Sequence, residues 1–354
     1  MVEKIECDIL IEGEGITAVA LAYFFSKIHQ DKKINLVLKE QKGLNISHFN
    51  PGIILPIFQL SDSLLNIVFR RNISILEELN SMSQDFEFSQ NPLVLLYRDK
   101  SSFEKMIRHK EKLQNSNIKH KNLSIEEIEN YYPFIKTEKE IHAIEIYNSY
   151  KCSNPFDLFI SFRKLADEND VYIIRENKRI SLQGKRELST DSTRYIGREL
   201  VITTSNYGQY HDDLRKTNLI KIITPIFERF PKVNLFDAST ASFMWLEESG
   251  YFHIFRSSEK KRESLESIEN DFHEIFTFFG KLEILDASYK RLNTVSKLDD
   301  SIGFLKENEV FYMNIPPHFE LSFSPLLANK IANLTVNQFD ILKGSDVISK
   351  LFMK

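Results

Sequence analysis

The chain has 354 residues, of which 42% are hydrophobic, 27% charged and 12% aromatic, a make-up that excludes disordered, collagenous and disulfide-stapled classes. Its 46 basic and 50 acidic residues leave a net charge of −4, with no electrostatic footprint for duplex nucleic acid or an anionic membrane. The length implies two domains at roughly 150 residues each, and the two cysteines, Cys7 and Cys152, provide neither a disulfide framework nor a four-ligand metal site.

The opening residues carry Glu3 and Glu6 and run straight into a strand, so no targeting segment is expected there and a cytoplasmic location is. Residues 16–25 form the longest apolar run, half of the roughly 20 a membrane span needs. Four NxS/T sequons, at Asn45, Asn72, Asn122 and Asn333, read as chance in an Asn-rich chain without a secretory signal. Residues 5–11 predict a strand, Gly13 to Gly15 a turn, 16–28 a helix and 34–38 a second strand, which together make a right-handed parallel βαβ unit. An irregular stretch with Pro51, Gly52 and Pro56 leads to a helix capped by Ser61 or Asp62.

Beyond Pro92 the pattern predicts strands at 93–97 and 141–147 and helices at 102–113 and 124–130, the latter with a Ser124/Glu127 capping box. A helix over 155–167, strands at 171–174 and 199–203, and a hairpin of 242–246 with 251–255 follow. Phe276, Phe278 and Phe279 are expected on one helix as core packing. A strand at 310–313, a loop and a helix opening at Ser324 and Pro325 complete the reading.

Gly13, Gly15 and Ala18 form a GxGxxA version of the dinucleotide fingerprint between strand and helix, where free amides and the helix dipole favour a pyrophosphate. Two features oppose it. The acidic residue that usually ends the second strand is replaced by Lys39, with Glu40 one residue late, and Glu14 sits beside the phosphate position. No GxxxxGK[ST], HExxH, CxxC or GxSxG occurs, which disfavours P-loop, zinc and serine-esterase chemistry, and no metal is expected.

Nearly end to end, the chain resembles the D-amino acid oxidase-like FAD-dependent oxidoreductases. The matching segments are CDILIEGEGITAVALAYFFSK, the loop from Ser47 through Asn50 to Gly52 and Ile53, NPFDLFISFRKLADENDVYI, ELVITTSNYGQ, WLEESGYFHIF and VFYMNIPPHFELSFSPLLANKIANL. The resemblance implies an α/β fold: a Rossmann-like FAD-binding domain (1–80, 141–215 and 301–354) with a mixed-sheet α+β substrate domain (81–140 and 216–300). It implies noncovalent FAD touching Gly13, Gly15, Ile16, Ala18, Lys39, Glu40, Ser47, Asn50, Gly52, Ile53, Val171, Thr204, Ser205, Ile315, His318, Phe319, Glu320 and Leu321. Candidates for the chemistry are His48 and His318 in the ring-side loops, with Arg256 and Arg291 for a substrate carboxylate. The implied substrate is a small amine or amino acid, oxidised at its C–N bond by hydride transfer to flavin.

The chain departs from the family where glycines should let the backbone approach the ring. Ile315 and Glu320 stand there, and Ser205 replaces another glycine in the turn near the pyrophosphate, in a chain with only 11 glycines. Two alternatives stay open on these residues: a non-catalytic homologue serving as a binding module or partner subunit, and a different FAD or NAD enzyme with a rebuilt ring-side loop. In an active flavoenzyme Glu320 is expected to point to solvent or to pair with a base such as Lys330.

Overall fold

The structure, a computed structural model, describes residues 2–39, 49–83, 85–137, 140–203, 215–225, 234–246, 251–258, 264–277, 283–294, 298–334 and 346–352. Two eight-stranded sheets carry the chain. The first runs β17 (Ile302–Leu305), β18 (Val310–Met313), β11 (Thr193–Ile202), β1 (Glu3–Gly13), β2 (Ile34–Lys39) and β8 (Tyr172–Glu176), with β10 (Glu187–Ser189) on β11 and β9 (Ser181–Gln183) on β10. From β18 to β8 every pairing is parallel, as crossover connections require.

The second sheet is mixed, in the order β16 (Asp286–Thr294), β12 (Arg215–Thr224), β15 (Phe252–Ser258), β14 (Ser242–Leu246), β13 (Asn234–Asp237), β4 (Leu93–Tyr97), β6 (His142–Ile146) and β5 (His120–Leu123). The hairpin β14–β15 lies wholly in this sheet. A two-stranded piece pairs β3 (Phe88–Gln90) with β7 (Tyr150–Cys152). The helices are α1 (Ile16–Ile28), α2 (Asp62–Ser83), α3 (Lys100–Asn115), α4 (Ile125–Tyr131), α5 (Pro155–Glu168), α6 (Leu265–Ile275), α7 (Pro317–Ala332) and α8 (Val347–Phe352). Among the described residues no helix is long and apolar enough to cross a membrane.

Helix α1 is buried from Ile16 through Ser26, the mark of a helix enclosed on all sides rather than laid on a surface. Tyr23 and Phe24 meet Phe162 of α5, and His29 Nε2 lies 2.8 Å from the Ala332 carbonyl of α7. Fully burying side chains of this size stabilises by about 1.5–3 kcal/mol each.

Three expectations are corrected. The strand within 141–147, grouped by sequence with the first domain, joins the second sheet, with Ile144 opposite Leu95 of β4. Helix α6 stops at Ile275 because Phe276 turns extended (φ −112°, ψ 143°) and bridges Ile135, while Phe278 and Phe279 lie outside the described residues. Helix α7 opens at Pro317, not at Ser324, since a proline in the first turn gives up no helical hydrogen bond.

Pro325 then falls inside α7 and leaves the Leu321 carbonyl without its amide. Asn72 of α2 repairs the gap. Its Nδ2 donates to Leu321 O at 2.8 Å, and its Oδ1 accepts from Leu326 N at 3.2 Å. The Asn72 side chain is therefore a fully buried structural group, not a modified one. Asn72→Ala is expected to cost roughly 2 kcal/mol, about one per lost hydrogen bond, readable as a lowered denaturation midpoint. An unchanged midpoint would show that α7 does not need this repair.

Candidate functional site

The βαβ unit places the turn after β1 at the carboxyl edge of the first sheet, where β2 goes to one side and β11 to the other. Such a switch point is where open α/β sheets bind ligands. Gly13 is required there sterically: a Cβ would lie 1.9 Å from Thr203 Oγ1 and 2.6 Å from Ala18 Cβ. Gly15 is extended (φ −124°, ψ −174°), open to any residue, and gives α1 no side-chain cap.

The cap comes from far along the chain. Glu320, in the first turn of α7, accepts at Oε1 from the Thr17 amide at 3.3 Å and from Thr17 Oγ1 at 3.4 Å. Thr17 Oγ1 also lies 2.8 Å from Ser324 Oγ. Glu320 is only 4% exposed, and burial pushes its carboxyl up to about 7 against the lowering effect of the Thr17 bonds. Its Oε2 and Glu14 Oε1 are buried without a hydrogen-bond partner among the described residues. Lys290 of β16 reaches Glu14 from the second sheet, Nζ to Oε2 at 3.7 Å. The expectation that Glu320 faces solvent or Lys330 is thus corrected: a cap on α1 satisfies one carboxylate oxygen, and Lys330 instead lies over the Phe352 ring at 5.7 Å.

A cavity of about 230 Å³ opens between the second sheet and the start of α7, lined by Phe58, His109, Phe243, Ser257, His318 and Phe319 among others. Among the described residues that line it there is no Lys or Arg. His109 stacks on Phe58 at 3.8 Å and lies 2.9 Å from Tyr97 Oη through Nδ1. Burial pushes both His109 and His318 down to about 4, so both imidazoles are neutral near pH 7. His318 Nδ1 is buried with no hydrogen-bond partner among the described residues.

The other sequence candidates scatter. Arg256 is on the opposite face of β15 from Ser257, as strand alternation dictates, and Nη1 binds Asp271 of α6 at 2.7 Å while Nε donates to Ser242 Oγ at 2.8 Å. Arg291 is exposed on β16. Asn50 ties its loop to the start of α7, donating to the Pro317 carbonyl and accepting from the Gly52 amide, both at 2.9 Å. Ile53, Ile315 and Leu321 are packed in the core beside Ile16 and Ala18, and Lys39 is half-buried at the end of β2.

Register sets the position of Val171 relative to the switch point. Gly13 is level with Leu38, and Leu38 with Arg175, so Val171 lies four residues, roughly 13 Å, back from the carboxyl edge. Its amide is spent on the Ala166 carbonyl. Glu40, Ser47, His48, Thr204 and Ser205 lie outside the described residues. The sequence does not single out Thr17, Lys290 or His109. The one available signal was the pair of acidic residues, Glu14 and Glu320, at positions meant for close approach, which implies donors nearby.

Among solved structures, L-proline dehydrogenase from P. horikoshii is similar at 16% identity and TM-score 0.77, over 95% of this chain and 94% of that one. Glycine oxidase from Geobacillus kaustophilus is similar at 14% identity and TM-score 0.75, over 97% and 96%. L-alpha-glycerophosphate oxidase from Mycoplasma pneumoniae, solved with FAD bound, is similar at 16% identity and TM-score 0.71, over 93% and 95%. No curated protein matches the sequence. The family described as DAO, FAD dependent oxidoreductase, matches residues 8–226, more than half of the chain, and with the strand–turn–helix at its switch point the chain belongs to that family of FAD-binding flavoproteins.

Proposed function

We propose that this chain is an FAD-dependent oxidoreductase that oxidises the C–N bond of a small amine without a carboxylate. FAD, when bound, supplies the two-electron acceptor. Gly13 lets the turn after β1 pack tightly on Thr203 and Ala18, which sets the N-terminus of α1 at the switch point where a dinucleotide's diphosphate would be held. That end suits the diphosphate only once the Glu320 carboxylate leaves Thr17.

The cavity carries the substrate reading. Its volume of about 230 Å³ is below the roughly 300 Å³ at which pockets for drug-sized ligands begin. Its walls are largely apolar, and the neutral imidazoles of His109 and His318 offer hydrogen bonds without charge. A carboxylate in such a place would be desolvated with no cation among the described lining residues to pair with. Arg256 does not serve, because it is held by Asp271 on the far face.

The test is spectroscopic. The purified chain is expected to show the visible bands of an oxidised flavin, alone or after adding FAD, and small amines should bleach them anaerobically faster than the corresponding α-amino acids. Bleaching by the amino acids alone would overturn the substrate class. A colourless chain that takes up no added FAD would favour the second reading, a flavin-free binding module for a small neutral ligand, which the seat of Glu320 supports.

A further inference from the structure

We propose that Glu320 is an internal occupant of the anion seat at the N-terminus of α1, which a diphosphate-bearing nucleotide must displace in order to bind. The inference takes its ligand class from the FAD reading and adds the competitor that holds the seat in this chain.

Three observations carry it. Helix α1 has 13 residues and no side-chain cap from its own N-cap residue, so its end is open to an anion from elsewhere. The anion that fills it comes from 303 positions away, at 3.3 Å from the Thr17 amide. The seat also carries more negative charge than its donors satisfy: Glu320 Oε2 and Glu14 Oε1, on residues 4% and 5% exposed, lack partners among the described residues. A diphosphate arriving with Glu320 in place would add two like charges to this poorly solvated end and compete for the same amide.

The groups that face the seat set its pH response. Glu14 in the turn repels Glu320, while Lys290 of β16 attracts both carboxylates and is itself repelled by Lys39 of β2. Protonation of Glu320 removes the competitor's charge, so nucleotide binding should strengthen as the pH falls below 7.

The experiment is calorimetric titration of the purified full chain with ADP and with FAD, near pH 6 and pH 8.5, for wild type, Glu320→Gly and Glu320→Gln. At the higher pH the glycine variant should bind both ligands at least about tenfold more tightly than wild type, with the glutamine variant between them. Wild type should bind ADP more tightly at the lower pH, and neither variant should share that trend. A gain toward ADP without one toward FAD would uphold Glu320 as the occupant while overturning the flavin reading. Equal affinity of wild type and variants for ADP at the higher pH, whatever FAD does, overturns the proposal. The glutamine variant keeps the shape of the side chain and decides the matter if the glycine variant fails to fold.

Discussion

Gly52→Ala is expected to destabilise the chain by roughly 3–4 kcal/mol, a larger loss than any surface substitution should produce. Gly52 has φ +75°, a left-handed conformation that costs a Cβ-bearing residue about 1 kcal/mol or more. A Cβ there would also lie 2.2 Å from the Cys152 carbonyl oxygen and 3.3 Å from Pro155 Cγ. That carbonyl cannot swing aside, because the next amide in its own peptide, Ser153 N, donates to Glu87 O at 3.0 Å, while the Cys152 amide donates to Gly52 O at 2.7 Å and pins the two segments together. Overpacking against backbone adds about 1–3 kcal/mol. Gly184 is the control: its φ is +48° with nothing within 4 Å of a Cβ, so Gly184→Ala should lose only about 1 kcal/mol. Equal losses at the two glycines would show that the contact with Cys152 carries no weight.

Glu320→Gln is expected to stabilise the protein above neutral pH and to leave it unchanged in acid. The folded carboxyl is pushed from 4.5 up to about 7, so between those values the folded chain holds a proton that the unfolded chain has released. The stability due to the protonated carboxyl is complete below 4.5 and is lost as pH rises to about 7, by up to about 3 kcal/mol. Glutamine cannot lose that proton. Its amide oxygen can still accept from Thr17, so the variant should match wild type near pH 4 and melt several degrees higher near pH 8. His109 and His318 destabilise in the opposite direction as pH falls from 6.5 toward about 4, but they are present in both proteins and cancel in the comparison. A constant difference at every pH would mean that Glu320 is ionised throughout and already balanced by its neighbours.

What the sequence made legible is what short-range chemistry decides. The apolar strand at residues 5–11, the glycine turn and the apolar run after it could make little but a βαβ unit, and Ser124 with Glu127 forms the reciprocal cap their spacing requires. Long-range pairing was not legible. The apolar residues of β6 suit either sheet, and only the register of Ile144 with Leu95 settles which one it joins. The start of α7 was misplaced because Ser324 and Pro325 read as a helix opening, whereas Asn72, from another helix, lets Pro325 sit inside one. The site shows the same division. Gly13 and Ala18 follow from the motif, but the occupant of the helix end is 303 residues from Thr17, and nothing in the fingerprint points to it.

The most direct test is a crystal structure of the full chain grown with FAD at slightly acid pH. The expected result is a diphosphate on the Ile16 and Thr17 amides, with the Glu320 carboxylate withdrawn from Thr17. A diphosphate bound at this helix end while Glu320 still accepts from the Thr17 amide would contradict the account, as would FAD bound with its diphosphate away from α1.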